Sequence, residues 1–216
     1  MKHKPVQKYG ELILKYLITI LFILSGYGCA NYSTKDSANE SMATKQPDTQ
    51  EQSDTITQCP GNTDPPIEFA DKFEAVEDTA LLETALGQPK DGKLCQGQVY
   101  KAKENTHVTV YRAWNSTNPN SKMGKWWAFQ SPEGKVSQYR SVYEICYQWS
   151  PLDKLTHCTL KSDVKIVIGT GQSAECSQYL TYPASAEKQI YIEDASISLS
   201  DCATYDGEFS WKAVME

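Results

Sequence analysis

Apolar residues fall into three patterns along these 216 residues. The first is a single run from Tyr16 to Leu24, broken only by Thr19. Lysines at 2, 4, 8 and 15 precede it, and small residues follow it up to Cys29. The run is too short to span a bilayer, which takes about 20 apolar residues. A positive segment, a short apolar core and a small-residue exit together make an export signal. The second pattern, residues 30–57, is almost free of apolar side chains. It cannot bury enough surface to offset its ordering entropy, so it is expected to be a flexible tether. The third, residues 58–216, mixes alternating and helix-spaced apolar positions over the length of one domain.

Within that third stretch, Cys59-Pro60-Gly61 and Asp64-Pro65-Pro66 are turn chemistry. Phe73, Val76, Ala80, Leu81 and Leu86 recur at near-helical spacing and predict a helix over 71–86, stopped by Gly87. Strands are predicted over 98–102, 107–114 and 125–129, with a polar loop at 115–121. Val136, Tyr139, Tyr143, Cys146 and Tyr147 predict a second helix over 132–147. Strands follow at 156–161, 164–168 and 189–192. Gly169-Thr-Gly171 is read as a sharp break, 173–185 as loop-rich with Cys176 as a staple, and the chain from Asp201 as a looped tail. The expected class is α+β: one disulfide-stabilised domain of mostly antiparallel short strands with two helices.

Charge narrows the partners. The whole chain carries −6, and loss of residues 1–28 removes four lysines and Glu11, leaving −9. Phosphate-backbone binding rests on clustered Lys and Arg, and no cluster occurs, so nucleic acid is not an expected partner. Six cysteines besides Cys29 are present: Cys59, Cys95, Cys146, Cys158, Cys176 and Cys202. An even number in an exported chain reads as three disulfides, with the pairing left open. A metal site is not expected. There is no CxxC pair, and beyond the export segment the histidines are His107 and His157, the latter adjacent to Cys158.

Ser25-Gly-Tyr-Gly-Cys29 resembles the end of a bacterial lipoprotein signal peptide. The resemblance implies a signal peptide over 1–28, a lipidated Cys29 opening a tether over 29–57, and a folded domain over 58–216. It implies an exported protein of the cell envelope, held to a membrane by lipid without spanning it. Gly26 stands where that family usually has Leu, and ordinary cleavage, leaving Cys29 unlipidated or removed, is the other outcome.

The candidate chemistry begins at Arg112. Strand side chains alternate, so Arg112 shares a face with Val108, Val110 and Trp114. An inward Arg needs an anionic partner, either a carboxylate of the protein or a ligand phosphate. Val108-Thr-Val-Tyr-Arg-Ala113 resembles the first-strand arginine of ADP-ribosyltransferase and NAD-glycohydrolase toxin domains. The order then continues through Gly124-Lys-Trp-Trp-Ala-Phe129, Ser137-Gln-Tyr-Arg140 and Glu187-Lys-Gln-Ile-Tyr-Ile192, over residues 106–193. The resemblance implies NAD as substrate, with Arg112 on its pyrophosphate. It places Glu187 and Gln189 at the ribose; apart from the resemblance, Trp126, Trp127 or Tyr139 could stack on the nicotinamide ring. Gln189 stands where those families carry their catalytic Glu, and their Ser-Thr-Ser element is absent, so transfer, hydrolysis and binding all stay open.

A non-enzymatic surface or periplasmic binding module is the competing class. Trp114, Trp126, Trp127 and Trp149 lie in one short region and would form its aromatic platform. The two readings part on whether Arg112 and Gln189 meet across an open cleft. Glu133, Glu144, Asp153 and Glu175 are candidates for a glycosidase carboxylate pair only by being carboxylates. Gly169-Thr-Gly-Gln-Ser173 lacks the Lys of a phosphate-binding loop.

Overall fold

In the computed structural model, residues 59–213 are described. The export signal, Cys29 and the tether lie outside them. Val108, Val110 and Trp114 are buried, while the residues between them are only half-buried, as an alternating strand requires. This strand, β3 (Val108–Trp114), belongs to an eight-stranded sheet whose pairs all run antiparallel. The other members are β1 (Phe73–Ala75), β2 (Leu94–Ala102), β4 (Trp126–Ala128), β5 (Lys154–Leu160), β6 (Lys165–Gly171), β9 (Lys188–Tyr191) and β10 (Leu199–Asp206). Their order across the sheet is β1-β2-β6-β9-β4-β3-β5-β10. A separate hairpin joins β7 (Ala174–Ser177) to β8 (Leu180–Tyr182). Three short α-helices, α1 (Thr79–Ala85), α2 (Val136–Val142) and α3 (Ala195–Ser198), and two 3-10 turns at Ile67–Lys72 and Pro119–Ser121 complete the α+β fold among the described residues.

The sheet curls. β1 and β4 are four strand spacings apart, roughly 19 Å on a flat sheet. Yet the rings of Phe73 and Phe129, the latter just past β4, have centroids 6.2 Å apart. The concave face encloses the main core, with Val110, Cys158, Trp127, Ile190 and Ile168 in rows across the strands. The opposite face carries a smaller core in which Leu81 and Ala85 of α1 pack with Leu94, Val99, Val167 and Tyr191.

Two cores explain why the predicted helix over 71–86 is not one element. Phe73 sits on β1 and faces the concave core, whereas Leu81 and Ala85 serve the other. Their near-helical spacing reflects two faces of a sheet. The helix starts only at Asp78, whose carboxylate accepts from Leu81 N at 3.1 Å as an N-cap. The second helix is likewise shorter than 132–147, because Glu144 has φ +48° and leaves the helical region just beyond the Tyr143 cap.

Three further expectations are corrected. Gly169 and Gly171 do not break a strand; β6 runs through both, and pairs with β2 and β9 there. A Cβ at Gly171 would overlap the Glu144 carboxylate and the Gln189 amide, so this glycine lets a side chain approach the sheet backbone. Residues 173–185 hold the β7–β8 hairpin. The expected looped tail is the edge strand β10, whose register shift between Ser200 and Ala203 disrupts the alternation that would have announced it.

The three disulfides are Cys59–Cys95, Cys146–Cys176 and Cys158–Cys202. They tie the start of the domain to β2, the segment after α2 to β7, and β5 to β10. Such a framework belongs to an oxidising compartment. Among the described residues no helix is long and apolar enough to cross a membrane.

Candidate functional site

Tyr111 and Ala128 are the register pair that joins β3 to β4, and Ala128 in turn opposes Gln189 on β9. Directly opposed residues share a face. Tyr111, Ala128 and Gln189 therefore floor one surface of the sheet, away from the concave core. The segment from α2 to Ser150 arches over that floor. Between them lies a cavity of about 320 Å³, walled by Tyr111, Arg112, Trp126, Tyr139, Tyr143, Glu144, Trp149 and Gln189, among others.

Arg112 and Gln189 are not on neighbouring strands: β4 lies between them, and strand parity points them to opposite faces. They reach the same cavity because β3 and β4 are paired only at Tyr111 and Ala128. Beside that pair the half-buried guanidinium donates from Nε to Ser121 O and from Nη1 to Trp126 O, both at 2.7 Å. Gly124 leaves the room it occupies, since a Cβ there would collide with the guanidinium. No carboxylate lies within ion-pair distance of Arg112 among the described residues. Burial lowers its pKa to about 10, and Tyr139 opposes that fall, so the group stays cationic at neutral pH. The same burial raises the Tyr139 phenol to about 12, partly offset by the field of Arg112.

Glu144 is the residue that strand and helix patterns passed over. It is 2 % exposed, an unusual place for a carboxyl group. Its Oε2 accepts from Gln189 Nε2 at 2.6 Å, while Oε1 is buried without a hydrogen-bond partner. Ser185 stands near enough to favour the charged form, but its hydroxyl donates to Val142 O and its amide to Gly171 O. Desolvation dominates and pushes the carboxyl up to about 8, with the charge of Glu187 adding to the rise. At neutral pH Glu144 is mostly protonated. A left-handed backbone, burial and an unpaired polar atom coincide here, a combination typical of functional positions. The signal in the sequence was a carboxylate set inside Tyr143-Glu-Ile-Cys146, two residues from a half-cystine.

The remaining expected residues divide. Tyr139 lines the cavity and packs on Tyr143 with ring centroids 4.7 Å apart. Trp127 touches the cavity, but it is 3 % exposed and belongs to the concave core, with Nε1 donating to Gly124 O. Glu187 is not in the cavity wall; its charge acts on Tyr143, whose phenol is raised first by burial and then by that carboxylate. Nor do the tryptophans form a surface platform. Trp114 is buried and donates to Thr156 Oγ1, Trp126 stands edge-on to Tyr191, and Trp149 is the exposed one. Among the described residues no group of three or more His, Cys, Asp or Glu is placed to hold a metal ion.

Chemically, the cavity presents a guanidinium anchored to two main-chain carbonyls, a protonated acid bonded to an amide, and aromatic walls. Asp91 and Lys93 also line it and oppose each other in charge. Comparison with protein-family models, with curated proteins and with solved structures finds no match for this chain.

Proposed function

We propose that the folded domain is a ligand-binding module that takes a small anionic molecule into the Arg112 cavity, on an exported chain held to a membrane through a lipidated Cys29. The observation that carries the reading is the half-buried guanidinium anchored to two main-chain carbonyls, with no carboxylate beside it among the described residues. A desolvated cation without a counter-charge is unfavourable, and an anion entering the cavity relieves it. The cavity size falls at the lower end of the range for small-molecule sites.

NAD cleavage is the second reading, favoured by Arg112 and Gln189 lining one cavity in the way the toxin-domain resemblance implies, with the Tyr139 ring in the same wall. Breaking the nicotinamide bond builds positive charge on the ribose, and an ionised carboxylate is the group that stabilises it. Glu187 lies outside the cavity wall, Glu144 is mostly protonated at neutral pH, and Gln189 is engaged with Glu144. Capture without cleavage is therefore the better fit.

Calorimetry with inorganic pyrophosphate and with NAD, beside an NAD turnover assay, tests both readings. Wild type should bind, and Arg112→Lys, which keeps the charge but loses the fork, should bind at least about tenfold more weakly. The variant should still fold, losing about 1–3 kcal/mol because two carbonyls lose their donor. If wild type binds neither compound, the anion-binding reading fails; turnover of NAD would transfer the site to the enzymatic reading. The anchor has its own check: Cys29→Ser should move the protein from the membrane to the soluble fraction, and unchanged membrane association would remove the lipid claim.

A further inference from the structure

Tyr139 and Ala113 each have a second side. Beyond them lies another cavity of about 260 Å³, between α2 and the ends of β5 and β10. Its walls are Val136, Leu152, Leu155 and Tyr205 together with the two shared residues. The charged groups at its edge do not invite a second ionic group: Lys154 is paired with Asp206, and Glu133 would repel an anion. Val136 leaves 62 % of its surface exposed in the first turn of α2. Leu152 holds a left-handed backbone, φ +60°, at the same wall. An uncovered apolar side chain and a strained one meet in one hollow, next door to an uncompensated cation.

We propose that the ligand is an amphipathic anion, with a phosphate-type or carboxylate-type head at Arg112 and an alkyl or aryl tail that passes Tyr139 into this second cavity. The proposal rests on the reading of the Arg112 cavity as an anion site and adds the chemistry of the other end. Tyr139 is the partition. Its hydroxyl lies in the field of Arg112, and its ring forms a wall of both cavities. A head held at the guanidinium thus has apolar surface beside it in one direction. A tail there removes the exposed face of Val136 from water.

The test uses the full chain and a homologous series: methyl, butyl, hexyl and octyl phosphate, titrated calorimetrically into wild type, Arg112→Lys and Val136→Trp. Val136 is exposed, so a larger side chain at 136 fills the hollow without disturbing the core. In wild type, affinity should rise by about fourfold for each methylene that reaches the second cavity. Arg112→Lys should weaken every member. Val136→Trp should leave methyl phosphate unchanged and weaken octyl phosphate at least about tenfold. Equal affinity along the series, with binding still dependent on Arg112, would overturn the tail assignment and leave the anion site standing. A chain-length gain that persists in Val136→Trp would also overturn it. Failure of every member to bind would overturn both proposals.

Discussion

Ile190 and Gln189 are neighbours on β9 and live in different worlds. Ile190 faces the concave core, where it is opposed by Trp127 on one side and Ile168 on the other and is wholly buried. Gln189 faces the cavity, where it donates to a buried carboxyl group whose second oxygen has no partner. The cluster packed on the concave face is almost wholly apolar, and the indole N–H of Trp127 within it finds a main-chain acceptor. The cavity holds a left-handed Glu144, two phenols shifted upward by burial, and Arg112, which reaches it from the strand parity of the concave core. One pleat of β9 thus separates a core made for stability from a cavity whose groups are held in unfavourable states. Such states persist only when the rest of the fold enforces them. Here the concave core, the disulfide Cys146–Cys176 beside Glu144, and the glycines at 124 and 171 supply that enforcement.

The two faces of β9 differ most in what they contribute to stability. Ile190→Ala leaves a cavity among close-packed side chains and should cost about 2–5 kcal/mol in thermal or denaturant unfolding. Below its melting transition the variant should keep anion affinity, because the change faces away from the cavity. A loss under about 1 kcal/mol would mean that the concave face is not the structural one. A selective loss of anion affinity would mean that the two faces are coupled through β9.

How far the sequence carried this picture depends on the length scale of each signal. Strand β3 was legible, because Val108, Val110 and Trp114 alternate over a seven-residue strand. So was the location of Arg112 on its valine parity, and so was the even set of cysteines that became three disulfides. The class, mostly antiparallel with short helices, followed from the same local patterns. What failed was assignment of apolar residues to one element when they serve two cores, as with Phe73 and Leu81. β10 was hidden by its register shift, and the glycines of β6 by close approach of side chains from elsewhere. Glu144 was indistinct for a further reason. Nothing local marks a carboxyl as buried; its surroundings come from β6, β9 and Ser185, which lie 27 to 45 residues away in sequence or reach it through contacts no periodicity records. Gln189 was picked out through a resemblance and Tyr139 as a ring able to stack, and they do share a cavity with Arg112, while Glu187 does not line it.

On the cavity side the expected effect is smaller and takes the form of a slope with pH. Glu144 titrates at its ordinary 4.5 in the unfolded chain and at about 8 in the fold. Between those values the folded protein holds a proton that the unfolded chain has released. Stability must then fall as pH rises through about 4.5 to 8, and level off above it. The charges facing the carboxyl reinforce this sign, since Glu187 disfavours ionisation and the Gln189 amide only partly compensates. The carboxylates of Asp71, Asp78, Asp153 and Asp194 are shifted down, so their contributions are lost at lower pH and leave this window clear. Glu144→Gln has the shape of the protonated acid, can still accept from Gln189, and cannot ionise. Unfolding followed at pH 5, 6, 7 and 8 should give a declining profile for wild type and a flatter one for the variant. The two should nearly coincide at pH 5 and differ by on the order of 2–3 kcal/mol at pH 7, with the variant the more stable. Parallel profiles would mean that Glu144 ionises like a surface carboxylate, and that this side of β9 is no more strained than the core behind it.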